Sequence, residues 1–410
     1  MVFNEIIKRP LISLGGLNSK TTNEFLDHFK DVTIANISKG ITLNIHKKSQ
    51  SHPKKIFPNI IPATPEDAKT ITEIYLDAFD GSYPFKEMED EQAVRKMIES
   101  DNYQWFIFRD HHDEVAGCFT YHLNFPEKKG YMRGFILKKK YFGKIDVVKT
   151  TIACMIAIWT LYRNRIYVWY AENRTAHAKA QHMAVVCGIR PIAFFPNKDV
   201  FLNKVESDIM HIIYDEKALY KYRRKDVPVI IPKAARGFYY ANERYNLGEV
   251  ILEIPIFSLD HIKLTILKKT IITRIEKDRF GYEKITFSYR NSDAYFTFLY
   301  TPQVQNFEKT EYYVNNSEEL FVFLQELKNF IRRYNIRYCE CFVSAYLPEH
   351  QKIFYDTGFF PRGYVPSWKY NPSLNKFEDH IVFNYYEGAL DENMKLVEES
   401  ESLLFILGEL

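Results

Sequence analysis

From Asn59 to Asp215 the chain switches between the two-residue period of strands and the 3.6-residue period of helices in a definite order. NIIPA, residues 59–63, is a short strand. TPEDAKTITEIYLDAF predicts a helix, with Thr64 as N-cap, acidic residues in its first turn, and Ala68, Ile71, Ile74, Tyr75 and Ala78 on one face. EQAVRKMIES predicts a second helix after the loop DGSYPFKEMED. Three strand-like runs follow: YQWFIFRD, EVAGCFTYHLN and KKGYMRGFILKK. A basic turn then leads into an apolar helix from about Asp146, the strand RIYVWYAE, the helix ENRTAHAKAQHMAVVCG and the strand RPIAFF. The polar loop FPNKDVFLNKVESD and the strand DIMHIIYD close the series. The order is β-α-α-β-β-β-loop-α-β-α-β-loop-β, an α+β fold.

The second half repeats part of this series. KITFSYR and AYFTFLYT form a strand pair, TEYYVNN a third strand, and SEELFVFLQELKNFIRRYN a helix starting at Ser317. That helix sets Leu320, Phe321, Leu324, Leu327 and Ile331 on one face. RYCECFVSA, the helix LPEHQKIFYDTG, and the strands FPRGYVPSW and HIVFNYYEG follow. Ahead of both halves, VTIANIS and ITLNIHK predict a strand pair, and SQSHPKK a linker.

A chain of 410 residues, 46% hydrophobic with only 16 Gly and 17 Pro, has the length for two globular domains. A net charge of +3 provides no general field for polyanions, so nucleic acid is a poor candidate partner despite lysine clusters near residues 46–55 and 138–149. Cys118, Cys154, Cys187, Cys339 and Cys341 are odd in number and widely spaced, which predicts buried reduced thiols. Cys339 and Cys341 share one face of a strand, but no second Cys or His pair nearby completes a metal site. Val147–Tyr162, the longest apolar run, is shorter than the roughly 20 residues of a membrane span and predicts a core helix. MVFNEIIKRPLISLGG lacks the pattern of a signal peptide, so the expectation is a cytoplasmic protein that does not enter the membrane.

Few α+β folds string their elements this way, and the series resembles that of the GNAT superfamily, the acyl-CoA-dependent N-acetyltransferases. The resemblance covers roughly residues 56–220, including the opening IIPATPEDA. It returns in HQKIFYDTGFFPRGYVP, which is similar to the end of a GNAT domain. It implies two GNAT-like domains, at 56–222 and 223–390, each a mixed, largely antiparallel central sheet flanked by helices. Residues 1–55 are then an extension, and 391–410 a C-terminal amphipathic helix. The implied activity is transfer of an acetyl group from acetyl-CoA, or another acyl group from another acyl-CoA, to an amine of a small molecule or peptide. A non-catalytic GNAT-like protein that binds a ligand or partner is the alternative.

The family holds the CoA pyrophosphate on backbone N–H groups after the fourth strand, in the pattern Arg/Gln-x-x-Gly-x-Gly/Ala. KKKYFGKIDVVK, residues 138–149, matches it with Lys140, Gly143 and, in place of the last small residue, Ile145. Lys144 adds charge, and Asp146 either repels a phosphate or turns away to cap the helix. By its residues alone, the stretch also reads as a basic turn. The second domain offers only Asn315–Glu319 at that place, with two acids and no glycine. Where the family's fourth-strand backbone meets the acyl carbonyl, the resemblance nominates Gly134, Phe135, Ile136 and Leu137. Asn173, at the end of the fifth strand, is placed either to bond the pantetheine arm or to cap the next helix.

The family's usual proton donor, a Tyr four residues before the Gly of Gly-Phe, falls on Ala184. His182 or His177 stands in, with a structural histidine as the other reading. Tyr355 lies near the equivalent place in the second domain, one residue short of the usual spacing. Candidates for substrate contact are Arg133, which needs a partner such as Glu172, and Asn197 and Lys198 in the polar loop. The loop holding Asp80 and Tyr83 lies over the family's acceptor cleft, where its acids attract a cation or are merely solvated.

Overall fold

The computed structural model describes residues 19–29 and 55–410. The predicted strand pair VTIANIS/ITLNIHK and most of its linker lie outside the described residues. After a short helix α1 (Thr22–Asp27), the first half runs β1 (Asn59–Pro62), α2 (Ala68–Phe79), α3 (Glu91–Glu99), β2 (Tyr103–Arg109), β3 (Val115–Asn124) and β4 (Lys129–Leu137). It continues through α4 (Val147–Tyr162), β5 (Val168–Arg174), α5 (Lys179–Val186), β6 (Arg190–Phe201) and β7 (Lys204–Tyr214). A connecting stretch holds β8 (Val229–Ile230), α6 (Ala235–Tyr245), β9 (Ile251–Leu252) and α7 (His261–Thr270). The second half comprises β10 (Ile271–Lys277), β11 (Glu283–Tyr289), β12 (Tyr295–Thr301), β13 (Asn306–Tyr313), α8 (Ser317–Tyr334), β14 (Tyr338–Ser344), α9 (Pro348–Asp356), β15 (Phe360–Asn371) and β16 (Lys376–Tyr386). Helix α10 (Glu398–Leu407) follows. Among the described residues, no helix is long and apolar enough to cross a membrane.

Fourteen strands form one sheet, in the order β1-β2-β3-β4-β5-β7-β6-β15-β16-β14-β13-β12-β11-β10. Read inward from either end, the order is the same. Four antiparallel strands come first, then a parallel step (β4/β5 or β13/β14), then an antiparallel pair. The halves join where β6 and β15 pair antiparallel at Ala193 and Gly363. A Cβ on Gly363 would lie 2.3 Å from Ala193 Cβ and 2.7 Å from Ile192 O, so the junction closes only with glycine there.

Correspondence extends to single residues. β6 and β15 are 12 residues each, and both carry a register shift in their outer half, at Phe195/Asp199 and at Val365/Lys369. Gln181 and Gln351 are both fully buried at matching turns of α5 and α9. Gln181 Nε2 donates to Arg174 O (3.1 Å) and Lys395 O (3.0 Å), and its Oε1 accepts from Val397 N (3.3 Å). Gln351 Nε2 donates to Ser344 O (3.0 Å) and Val229 O (3.1 Å), and its Oε1 accepts from Ile231 N (2.9 Å). The tail after each half is therefore clasped by the other half. Helix α6 then packs on β15, α10 packs on β6, and the two helices touch.

Helices α2 and α3 cover the sheet face bearing Trp105, Ile107, Cys118 and Ile136. Helices α4 and α5 cover the opposite face, bearing Phe106, Phe108, Tyr121 and Trp169. All five cysteines are buried and free.

Several elements differ from the sequence reading. FPNKDVFLNKVESD is a hairpin rather than a loop: β6 runs to Phe201, and Leu202 and Asn203, both at positive φ, make a two-residue turn into β7. Its charges hid the strands, because they find partners inside the protein. Helix α5 begins at Lys179, since Thr175 is still bonded to Ser207 O through its amide and its hydroxyl. Helix α8 starts at Ser317 as expected, capped by Asn316, which accepts from Glu319 N. The C-terminal helix begins only at Glu398 and is docked.

Candidate functional site

The parallel step in the first half is short. β4 and β5 pair from Lys129–Tyr131 to Val168–Tyr170 and then part. Beyond the split β4 shifts register against β3, and Gly134 takes φ +66°, a conformation that favours glycine. A Cβ there would lie 2.2 Å from Tyr75 Oη, so the phenol of α2 stands directly against the bulge. Tyr75 Oη and the nearby Thr120 Oγ1 are both buried without a well-formed hydrogen bond. Burial pushes the Tyr75 hydroxyl well above the usual phenol range, so it stays a proton-bearing donor. Sequence reading took Tyr75 only as a core position; its helical spacing gave no sign of the bulge opposite. Of the other backbone positions nominated beside Gly134, Ile136 and Leu137 are buried and pair with Cys118 and Gly117, while Phe135 packs on Phe108 and Phe119.

On the α2/α3 side, Arg133 reaches Glu87 (3.9 Å) and lies over the Phe85 ring (4.7 Å), so its partner is Glu87 rather than the expected Glu172. Tyr83 is buried against Tyr75, Phe79 and Phe201. The second half reaches this place through its β10–β11 hairpin. Tyr282 Oη donates to Glu87 Oε2 (2.6 Å) and accepts from Lys86 N (2.8 Å), and Arg279 pairs with Asp90 (2.8 Å). Asp80 is exposed and turned away, its carboxylate on Lys139 Nζ at 2.5 Å.

Asn197 and Lys198, expected in an exposed loop, are instead buried in β6 at the junction of the halves. Asn197 takes φ +51° at the bulge, and its Nδ2 donates to Glu387 O (3.0 Å) and Ala389 O (3.2 Å). Lys198 Nζ lies between Glu172 (2.9 Å) and Glu340 (3.1 Å), with Glu308 at 4.0 Å. Three strands from both halves thus converge on one ammonium. Burial, opposed by Lys198, lifts the Glu340 carboxyl to about 7 and that of Asp199 to about 6. A buried ammonium demands such company, and these side chains join the halves.

The basic turn is largely committed to the protein itself. Lys140 pairs with Glu114 at 2.5 Å, and Lys139 donates its amide to Asp77 as well as its ammonium to Asp80. The amides of Tyr141, Phe142 and Lys144 bond within the turn. Residues just before β1 then strap across it: Ile56 N donates to Lys144 O (2.7 Å), and Asp146 N donates to Ile56 O (2.8 Å). This accounts for both departures from the family pattern. Ile145 is buried in the core beside Ile56, and Asp146 caps α4 by accepting from Lys149 N (3.3 Å). Gly143 and Lys144 remain exposed at the tip, Gly143 at φ +75°.

Asn173 lies inside β5 and caps no helix; its Nδ2 is buried without a partner. His182 is half-buried on α5, while His177 precedes that helix and is exposed. Tyr355 belongs to the second half, where its ring meets Phe360 (5.6 Å) and lies under Lys233 (5.9 Å), so it does not join the first-half residues. Among the described residues, no cluster of His, Cys, Asp or Glu could hold a metal ion.

The sequence matches no family model and no curated protein. Solved structures similar to the chain include spermidine N-acetyltransferase from Vibrio cholerae in a dodecameric intermediate state, 15% identical with a TM-score of 0.33, covering 40% of this chain and 96% of that one. The SpeG spermidine N-acetyltransferase of the same organism in complex with CoA and spermine is also 15% identical, with a TM-score of 0.33 over 39% of this chain and 96% of that one.

Proposed function

We propose that the chain is an N-acyltransferase of the GNAT kind, made of two GNAT-like units at 56–222 and 223–390. Its acyl-CoA donor belongs in the first unit, and its amine acceptor between the halves. The observation that carries this reading is the parting of β4 from β5, with Gly134 left-handed beyond the split and the buried Tyr75 hydroxyl, which has no well-formed hydrogen bond, against it. The recurring strand order and the paired glutamine clasps support the two-unit reading.

A bound acyl-CoA supplies an activated thioester; the protein has to orient it and exclude water. Tyr75 holds a hydrogen-bond donor at the bulge. Glu87, bonded by Tyr282 Oη and 3.9 Å from Arg133, presents a carboxylate on the acceptor side, and His182 is the proton carrier left on α5. Asn173 Nδ2 is an unmet donor suited to an amide carbonyl of the pantetheine arm.

The phosphate end fits poorly while Ile56 straps the turn and Lys139 and Lys140 are paired, and no step is assigned to it. That mismatch favours the second reading, a GNAT-like protein that binds a ligand or partner without catalysis. Calorimetric titration with acetyl-CoA separates the two. Saturable binding to the wild type that is lost in Gly143→Trp supports a donor held at the turn. No binding to the wild type sinks the acetyl-CoA reading.

A further inference from the structure

Strand β10 ends the fourteen-stranded sheet, pairing with β11 along one side only. Among the described residues nothing covers its other side, and every residue from Ile272 to Lys277 is exposed. Its register sets Ile275 opposite Ile285 and Thr273 opposite Phe287. Ile275 therefore lies on the sheet face that α8 covers through Phe323 and Phe330, but beyond that cover, 45% exposed. Helix α7, which packs beside α8, leaves Ile262 and Ile266 at 74% and 56% exposure. An open strand edge flanked by exposed isoleucines is a surface that invites another strand.

We propose that this edge pairs with β10 of a second copy, antiparallel, about a two-fold axis at Ile275. The charges select this occupant and this register. In an isologous pair, residue i meets j and j meets i. Centred on Ile275, Arg274 falls opposite Glu276 of the other copy, and Glu276 opposite its Arg274, with the two Ile275 side chains facing each other. The ion pair that Arg274 and Glu276 make within one strand (2.8 Å) gains a counterpart across the axis. A shift that centres the axis on Arg274 sets the two arginines against each other and Ile272 against Glu276. The pairing also buttresses the β10–β11 hairpin, whose Tyr282 and Arg279 rest on the Glu87–Asp90 loop.

Sedimentation equilibrium of the full chain tests this, with circular dichroism confirming that each variant folds. The wild type is expected to dimerise, and Ile275→Lys to be monomeric. Arg274→Glu alone weakens the dimer several-fold by placing like charges opposite, and Arg274→Glu with Glu276→Arg restores it. Ile275→Cys forms a symmetric disulfide under mild oxidation, against a background of native cysteines that are all buried. A monomeric wild type overturns the proposal, as does a dimer indifferent to Ile275→Lys or a double charge swap no better than the single one.

Discussion

The two halves share a scaffold and differ where chemistry would sit. Both run four antiparallel strands into a parallel step, and both clasp the other half's tail with a buried glutamine. Around the parallel step they diverge. The first half inserts α2 and α3 between its outer strands, which brings Tyr75 and Glu87 to the split; the second joins β10 to β11 directly. The first half has a glycine at its left-handed bulge position, Gly134, whereas β13 has Lys309 at φ +52° near its own register shift. In the second half Thr310 Oγ1 also bonds Glu340 O across the strands that part there. Residues that hold the halves together recur, and residues that could face a ligand do not. The second half then serves the first, supplying Glu340 to Lys198 and Tyr282 to Glu87.

If the scaffold is common, its shared points carry the largest effects. Gly363→Val should be the most severe substitution, since its side chain meets Ala193 and the Ile192 carbonyl at the junction itself. A loss of about 3 kcal/mol or more, measured by urea unfolding, is expected. Gln181→Ala and Gln351→Ala come next, at about 2–3 kcal/mol each, because each leaves buried backbone groups unpaired. Equal losses support equivalent clasps. A cheap Gln181→Ala beside a costly Gln351→Ala would show that one tail is docked and the other only rests.

The scaffold was largely legible, and the candidate site only in part: Gly134 and Asn173 stood out in sequence, Tyr75 did not. The pattern revealed β1–β5, α8 and β14–β16, because the strands are runs rich in aromatic and β-branched residues, most of them buried on both faces, and α8 buries one regular face. It missed α6, and it missed β9 to β10, where Ile251, Leu252, Ile262 and Ile275 are exposed and the apolar pattern does not report burial. It also read the stretch from Phe195 to Asp208, between two correctly placed strands, as a loop, since Lys198 and Asp208 look solvated in sequence but are buried, Lys198 among three carboxylates. The basic turn was found, but not its commitments: Glu114 and Asp80 are distant in sequence, and no local pattern shows a strap.

Each half also buries a histidine on its hairpin with the tails, which gives a subtler comparison. Burial, with Arg190 nearby, holds His211 down to about 4, and burial, with Lys369 and Lys129 nearby, holds His380 down to about 3. The unfolded chain takes up protons near pH 6.5, whereas the folded one does not until these lower values. Stability is therefore complete above about pH 6.5 and falls as the pH drops toward 4, by about 1.4 kcal/mol per pH unit for each histidine. Either His211→Gln or His380→Gln should remove one histidine's share of the slope, read from urea midpoints across that range. A slope lost wholly with one histidine would mean that the halves do not titrate alike.

The smallest expected effect bears most directly on what separates the halves. Ile56→Pro removes the amide that bonds Lys144 O, at a cost of about 1 kcal/mol in stability. Its carbonyl can still accept from Asp146 N, so the strap is loosened rather than cut. If the strap competes with a phosphate for the turn, the energy lost from folding reappears as affinity. Acetyl-CoA binding should then tighten, by up to about fivefold. Lys140→Ala gives the control, because freeing Glu114 from an exposed pair costs little stability and leaves an acid beside the turn. Tighter binding in Ile56→Pro together with weaker binding in Lys140→Ala would mark the turn as a donor site held shut by the chain before β1. Unchanged binding in both would place any donor contact elsewhere and leave the first half, like the second, without a working phosphate turn.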